Sequence, residues 1–253
     1  MSTYAISDVH GCFDELQELL KLIKFSSKDT LYILGDLIDR GPANDKCVKW
    51  MAEADSNIVY LLGNHELMMM ASMNDDLSNF LQNPTKRGIW CKHGGMNTFK
   101  QCKKHCSRKT MKAFQNKIEN AKVLASPNVG EIPPVLIHAG LKPPDTSDKD
   151  NAWMYQDENA LLWGSKDWHV DSQIPPFDVV FGHTPTATLA HRLQSTDLCS
   201  AKEIKKGKNW HIMHWNRKWA IDCGCVFGGN LAALRLDDYQ CFYVPCHKEH
   251  GYT

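Results

Sequence analysis

No stretch of this 253-residue chain approaches the roughly 20 consecutive apolar residues that a membrane helix needs, so a membrane-spanning helix is not expected. No basic segment followed by an apolar run precedes Thr3-Tyr4-Ala5-Ile6, which already reads as a strand. An export signal is therefore not expected either, and the chain reads as cytoplasmic. Neither sign of charge dominates: Lys plus Arg and Asp plus Glu number 29 each. That removes the field which draws nucleic acid or an anionic membrane surface. No Cys-x-x-Cys pair occurs among the ten cysteines. In the reducing compartment implied by the missing signal, most of them are expected to be thiols. No linker, internal repeat or low-complexity segment breaks the chain, and one domain spanning 1–253 is expected.

What is present is a regular alternation. Ile6 ends a strand that runs into Asp8, and Phe13, Leu16, Leu19, Leu20 and Ile23 then recur at helical spacing. Leu31 to Leu34 reads as a buried strand stopping at Gly35-Asp36. A second helix carrying Val48, Trp50 and Met51 follows Pro42, and Ile58 to Leu62 is a third strand ending at Gly63-Asn64-His65. Strand-helix-strand-helix-strand predicts an α/β fold with a mainly parallel sheet, whose ligands gather at the carboxyl ends of the strands. Residues 67 to about 125 are polar, rich in Met and Lys, and read as a helical insertion without a convincing strand. Strands resume at Val135-Leu136-Ile137 and Val179-Val180-Phe181, each ending at a histidine. Trp219 to Ile221, Leu231 to Leu236 and Cys241 to Val244 suit a second, partly antiparallel sheet.

The strand ends carry the chemistry. Asp8, His10, Asp36, Asn64, His138 and His183 all fall there, a mixture of oxygen and imidazole donors suited to two divalent cations. One cation would be held by Asp8, His10 and Asp36, the other by Asp36, Asn64, His138 and His183, with the Asp36 carboxylate shared. Such a pair clamps a phosphate and holds a water as hydroxide for in-line attack on phosphorus. His65 stands beside Asn64 as the general acid, Asp39 would orient it, and Arg40 offers a planar fork for phosphate oxygens. Arg40, Asn64 and His65 are thus the expected phosphate contacts. Each residue alone is unremarkable in a core, turn or surface ion pair; the order and placement of all of them make the argument.

These segments resemble the signatures of the phosphoprotein phosphatase family of calcineurin-like metallophosphoesterases, GDxHG, GDxxDRG and GNHE. They stand here as SDVHG (7–11), GDLIDRG (35–41) and GNHE (63–66), followed by HAG (138–140) and GHT (182–184). Trp90, Gly94-Gly95 and Thr98, with Asp222-Cys223-Gly224 and Gly228-Gly229, extend the likeness over most of the chain. The compact length and Ile6-Ser7-Asp8 point to the bacterial and bacteriophage branch. The resemblance implies a four-layer β-sandwich flanked by helices and two metals, manganese first with iron or zinc as alternatives. It also implies a phosphatase acting on Ser, Thr and sometimes Tyr in proteins. Ser7 stands where Gly is commoner. Relatives of this type often carry a second phosphate-binding Arg after a segment like Leu161-Leu162-Trp163. Here Gly164-Ser165-Lys166 follows, and Lys166 offers a point charge in place of a fork.

Other clusters read more plainly. Cys91, His93, Cys102, His105 and Cys106 in the insertion, and Cys223, Cys225, Cys241, Cys246 and His247 near the end, are expected to be thiols and ordinary histidines rather than zinc sites. Met68, Met69, Met70 and Met73 read as core filler. Lys202, Lys205, Lys206 and Lys208 read as a solvated face, with docking of an acidic protein or a polyphosphate as the minority reading. A phosphoprotein is the first substrate expected and a phosphorylated small molecule the second, the latter exemplified by diadenosine tetraphosphate or another nucleotide polyphosphate. A catalytically inactive phosphoprotein-binding module ranks lower because no ligand is missing, and a nuclease because no basic groove is visible. Nothing demands a partner chain, and a monomer is the default.

Overall fold

The structure is a computed structural model that describes residues 1–73, 88–144, 153, 156–165, 168–193, 210–248 and 251–252. Lys166 and the lysines at 202, 205, 206 and 208 lie outside the described residues.

Three parallel strands open the fold: β1 (Thr3–Ile6), β2 (Thr30–Leu34) and β3 (Ile58–Leu61), paired in that order. Helices α1 (Phe13–Leu22) and α2 (Asn44–Ala52) form the two crossovers. Side chains in a strand alternate between faces. Tyr4, Ile6, Leu31 and Ile33 accordingly pack with Leu16, Leu19, Val48 and Met51 of the helices. Ala5, Leu34 and Leu61 point the other way, against a second sheet.

That second sheet runs β4 (Leu124–Ala125), β5 (Val135–Ile137), β6 (Val179–Phe181), β8 (Lys218–Ala220) and β7 (Met213–Trp215). Its Leu136 and Val180 meet Ala5, Leu34 and Leu61 between the sheets. Ile137, Val179 and Phe181 face away, against α7 (Thr186–Leu193), α6 (Glu158–Trp163) and Trp168. Three apolar clusters separated by two sheets make four layers, the α/β sandwich the resemblance implied. Because each central strand is buried on both faces, it reads as a continuous apolar run.

The last part of the chain departs from expectation. Among the described residues it forms no sheet of its own. Trp219 and Ala220 belong to β8, which extends the second sheet parallel to β6. β9 (Asn230–Arg235) and β10 (Cys241–Pro245) instead join the first sheet, β9 lying antiparallel to β1. The reason is the edge that β1 leaves open once β2 has taken its other side. β9 covers it with Leu231 and Ala233 turned to the helices and Leu234 turned to the other sheet.

The segment after β3 begins as α3 (Asn64–Ser72) and continues from residue 88 through a wide turn at Cys91–Gly95 into α4 (Met96–His105) and α5 (Arg108–Glu119). It ends in β4, a short strand the sequence reading missed because two residues show no periodicity. Met68, Met69, Met70 and Met73 all lie in the main core. The nine described cysteines are free. Among the described residues, no helix is long and apolar enough to cross a membrane.

Candidate metal centre and active site

The loops leaving β1, β2 and β6 are forced into backbone shapes that L-residues avoid. Asp8 (φ 50°), His10 (45°), Asp36 (52°), Asp39 (76°), Arg40 (66°) and His183 (67°) are all left-handed. Each such residue costs of order 1–3 kcal/mol, which persists only when the surroundings over-determine it. Here they do. The His10 and Gly11 amides donate to Asp36 O and Leu37 O, both at 2.9 Å, and Gly182 N–H donates to His138 O at 2.8 Å. Two glycines permit the close approach: a Cβ on Gly63 would collide with the amide and carboxylate of Asp36, and one on Gly182 with Ser7 and Asp8.

The six expected metal ligands are brought together. His10 Nε2 lies 3.6 Å from Asp36 Oδ2 and 3.9 Å from Asp8 Oδ1. His138 Nε2 lies 3.5 Å from Asp36 Oδ1, 2.9 Å from Asn64 Oδ1 and 3.2 Å from His183 Nδ1. Two compact donor groups result, His10–Asp36–His65 and Asp36–His138–His183, and they share Asp36. A carbonyl oxygen only accepts, so His10 Nδ1 donates to Ile38 O (2.8 Å) and His138 Nδ1 to Leu34 O (2.7 Å). The Nε2 lone pairs therefore face the cluster, the orientation a metal-ligating histidine needs.

This donor set fits cations and is costly without them. Asp8 Oδ1 is buried with no hydrogen-bond partner among the described residues, while Oδ2 accepts from His183 N–H (2.8 Å) and the Ser7 hydroxyl. Burial pushes the Asp8 carboxyl up to about 6 against the pull of His138, with the charge of Asp36 adding to the rise. Burial likewise raises Asp36. It drives His10, His138 and His183 below the ordinary imidazole range, leaving them in the neutral form that binds metals. Asn64 has two ways to satisfy this nest of acceptors. Its amide NH2 donates to them, or its oxygen shares a cation with them.

His65, Asp39 and Arg40 line the same cluster. His65 Nδ1 sits 2.6 Å from Asp39 Oδ2, and its Nε2 faces Asp36 Oδ2 at 3.9 Å. Asp39 is fully enclosed: Trp90 Nε1 donates to Oδ2 at 2.8 Å and the Thr98 hydroxyl to Oδ1 at 2.5 Å. Burial pushes Asp39 up to about 7 despite those two bonds. Burial also pushes His65 down to about 4, against the charge of Asp36. Such a pair titrates as one unit. A proton on Asp39 that bonds to Nδ1 leaves the second imidazole proton on Nε2, aimed at the cluster. The Arg40 guanidinium reaches His10 Nε2 and lies 5.5 Å over the Phe227 ring. Beyond it opens a pocket of about 370 Å³ lined by Arg40, Lys92, His93, Asn97, Phe227 and Tyr252.

Sequence reasoning gave no role to Glu66, although it completes the third signature. Its buried carboxylate accepts three amides of the second loop: Asp36 N–H on Oε2 (3.0 Å), and Leu37 (3.0 Å) and Ile38 (3.3 Å) on Oε1. Trp90 and Thr98 were visible only as landmarks, with nothing local to name Asp39 as their partner. Glu66→Gln sets an NH2 against one of those N–H donors. It is expected to destabilise the metal-free protein by about 1–3 kcal/mol in urea unfolding, and to weaken metal binding about 10–100-fold.

The family model for calcineurin-like phosphoesterases matches residues 1–187. A symmetrical bis(5'-nucleosyl)-tetraphosphatase of Delftia acidovorans is 39% identical to this chain, the alignment covering 94% of each. One from Methylobacillus flagellatus is 28% identical over 99% of this chain and 98% of its own. In fold, the chain matches the crystal structure of a candidate diadenosine tetraphosphatase with a TM-score of 0.54 at 20% identity, covering 96% of this chain and 92% of that one.

Proposed function

The chain belongs to the calcineurin-like phosphoesterase family, and from that premise we propose that it hydrolyses a dinucleoside polyphosphate within its phosphate bridge. The names of its bacterial relatives support this reading over the protein phosphatase that the sequence ranks first. The observation that carries it in the structure is the pocket beside Arg40. It offers two cationic side chains, Arg40 and Lys92, next to the rings of Phe227 and Tyr252. Those are the groups a phosphate chain and a nucleobase require.

Calcineurin-like phosphoesterases use a dinuclear divalent metal site, and this chain carries matching donor groups. Asp8, His10 and Asp36 would hold one cation, and Asp36, Asn64, His138 and His183 the other. Manganese is our assignment from the resemblance, with iron or zinc as alternatives, since all three accept carboxylate and imidazole donors. When bound, the cations neutralise phosphate charge and make water nucleophilic near neutral pH.

The remaining steps fall to side chains. Arg40 lays its fork on the phosphate next to the scissile bond, and Asn64 and His65 complete the contacts. His65 gives the Nε2 proton to the departing oxygen while a proton from Asp39 passes to Nδ1, so the pair ends as neutral imidazole and carboxylate. Residues 67–125, taken as an insertion in one domain spanning 1–253, bring Trp90 and Thr98 to Asp39 and fix that relay.

The test is manganese-dependent hydrolysis of diadenosine tetraphosphate beside a phosphoserine peptide. A symmetrical cut yields ADP as the sole nucleotide and is the expected result. ATP plus AMP would retain the substrate but move the attacked phosphorus. Phosphate release from the peptide alone would return the chain to the protein phosphatases.

A further inference from the structure

A second group of donors lies apart from this centre, and it is rich in sulfur. Cys12 stands at the start of α1, Cys225 in the single helical turn Cys225–Phe227, and Cys246 directly after β10. The Cys225 thiol makes hydrogen-bonding contact with both Cys12 and Cys246. The sulfurs of Cys12 and Cys225 and a carboxylate oxygen of Glu15 all lie within 4.8 Å of one another. Cys12, Cys225 and Glu15 are buried, and Cys246 is half-buried. Glu15 follows Cys12 by three residues, so the start of α1 turns both to one side.

A carboxylate in such a place needs compensation. Glu15 Oε1 accepts from His247 N–H (3.0 Å) and from the Tyr252 hydroxyl (2.8 Å). Both bonds fall on Oε1, leaving Oε2 for a further partner. Three thiols and one carboxylate are a complete donor set for a tetrahedral structural zinc. Zinc–sulfur bonds near 2.3 Å place sulfurs about 3.8 Å apart on such a tetrahedron. Cys12, Cys225 and Glu15 already meet that spacing, while Cys246 stands outside their compact group and reaches it through its contact with Cys225.

We propose that Cys12, Cys225, Cys246 and Glu15 form a structural zinc site. Binding breaks three S–H bonds and forms three Zn–S bonds and one Zn–O bond. Three protons go to solvent, no redox change occurs, and the net charge of the site is −2. The site ties together segments that shape the pocket: Cys12 follows His10-Gly11, Phe227 lies two residues beyond Cys225, and Tyr252 is bonded to Glu15. Separate readings of the sequence ends gave only free thiols, because residue 12 and residues 225 and 246 meet only once β9 pairs with β1.

Cobalt substitution tests the proposal without reference to any substrate. The Asp, His and Asn donors of the catalytic cluster contain no sulfur, so a thiolate-to-cobalt charge-transfer band reports on the new site alone. The full chain loaded with cobalt is expected to show that band and to bind about one equivalent beyond the dinuclear pair. Cys246→Ser, at the half-buried position, and Cys225→Ser should each abolish the band and lose about that one equivalent. Zinc should also be found by elemental analysis of the protein as purified. A wild-type spectrum without the band overturns the proposal, as does a band that persists in both variants. So does a protein lighter by two hydrogens, its Cys12 and Cys225 joined as a disulfide. Should Cys225→Ser fail to fold, Cys246→Ser decides alone.

Discussion

Asp36→Asn is expected to reduce turnover by at least about 10³-fold, because both donor groups depend on that one carboxylate. Removing an anionic ligand shared by two cations forfeits several kcal/mol of charge stabilisation, and each 1.36 kcal/mol is a factor of ten in rate. Metal titration should show both sites weakened together, since neither group keeps its full donor set. The metal-free protein should respond in the opposite direction. There Asp36 is a buried charge among other carboxylates, and burial raises its pKa. Asn removes that charge and should stabilise the metal-free chain by about 1–3 kcal/mol. A carboxyl whose folded pKa lies above its unfolded value costs stability as pH rises through the folded value and costs nothing below the unfolded one. The advantage of the variant should therefore vanish near pH 3 and be larger at pH 8. Urea melts at those two pH values, with and without manganese, check both halves. A variant equally destabilised in both states would show that Asp36 is merely structural.

His65→Asn is the second large effect, and its size should depend on the leaving group. General acid catalysis contributes about 10²–10⁴-fold where the departing oxygen needs a proton. The serine alkoxide released from a phosphoserine peptide needs one; a nucleoside diphosphate departs as a stabilised anion. With the peptide, any turnover should fall by the full factor. With diadenosine tetraphosphate the loss should sit near the lower end. The variant should retain its metals through Asp8, His10, Asp36, Asn64, His138 and His183, since His65, although it lies in the compact group with His10 and Asp36, is assigned the proton and not a metal bond. Equal losses on both substrates would mean that His65 acts through phosphate contact and charge, without transferring a proton. Asp39→Asn should follow the same pattern, since it removes the relay behind Nδ1.

What could be read before the structure is what local pattern encodes. Short continuous apolar runs placed β1, β2, β3, β5 and β6, and the chemistry of the residues that follow them placed Asp8, Asp36, Asn64, His138 and His183 at one edge. Those inferences need only neighbours a few positions away. The errors share the opposite property. Nothing in Leu231 to Leu236 states that its partner is Tyr4 to Ile6, because a half-buried strand looks alike whichever edge it covers. Glu66 was legible as a motif letter, but its three amide partners lie about 30 residues earlier in a loop. Thr98 and Trp90 could not be linked to Asp39 without knowing that the insertion folds back across the site. The Cys12, Cys225 and Cys246 group was hidden for the same reason.

The position of β1 also carries a kinetic consequence. It is paired on one side with β2, which is made almost at once, and on the other with β9, which is not available until residue 235 has been synthesised. During translation, one edge of the first sheet must stay unpaired while nearly the whole chain is made. Contacts of such sequence separation are slow to form and leave strand edges open to other chains. Refolding from denaturant should therefore show a late phase in which pairing of β9 and assembly of the metal cluster's surroundings finish together. Aggregation should compete most strongly just before it.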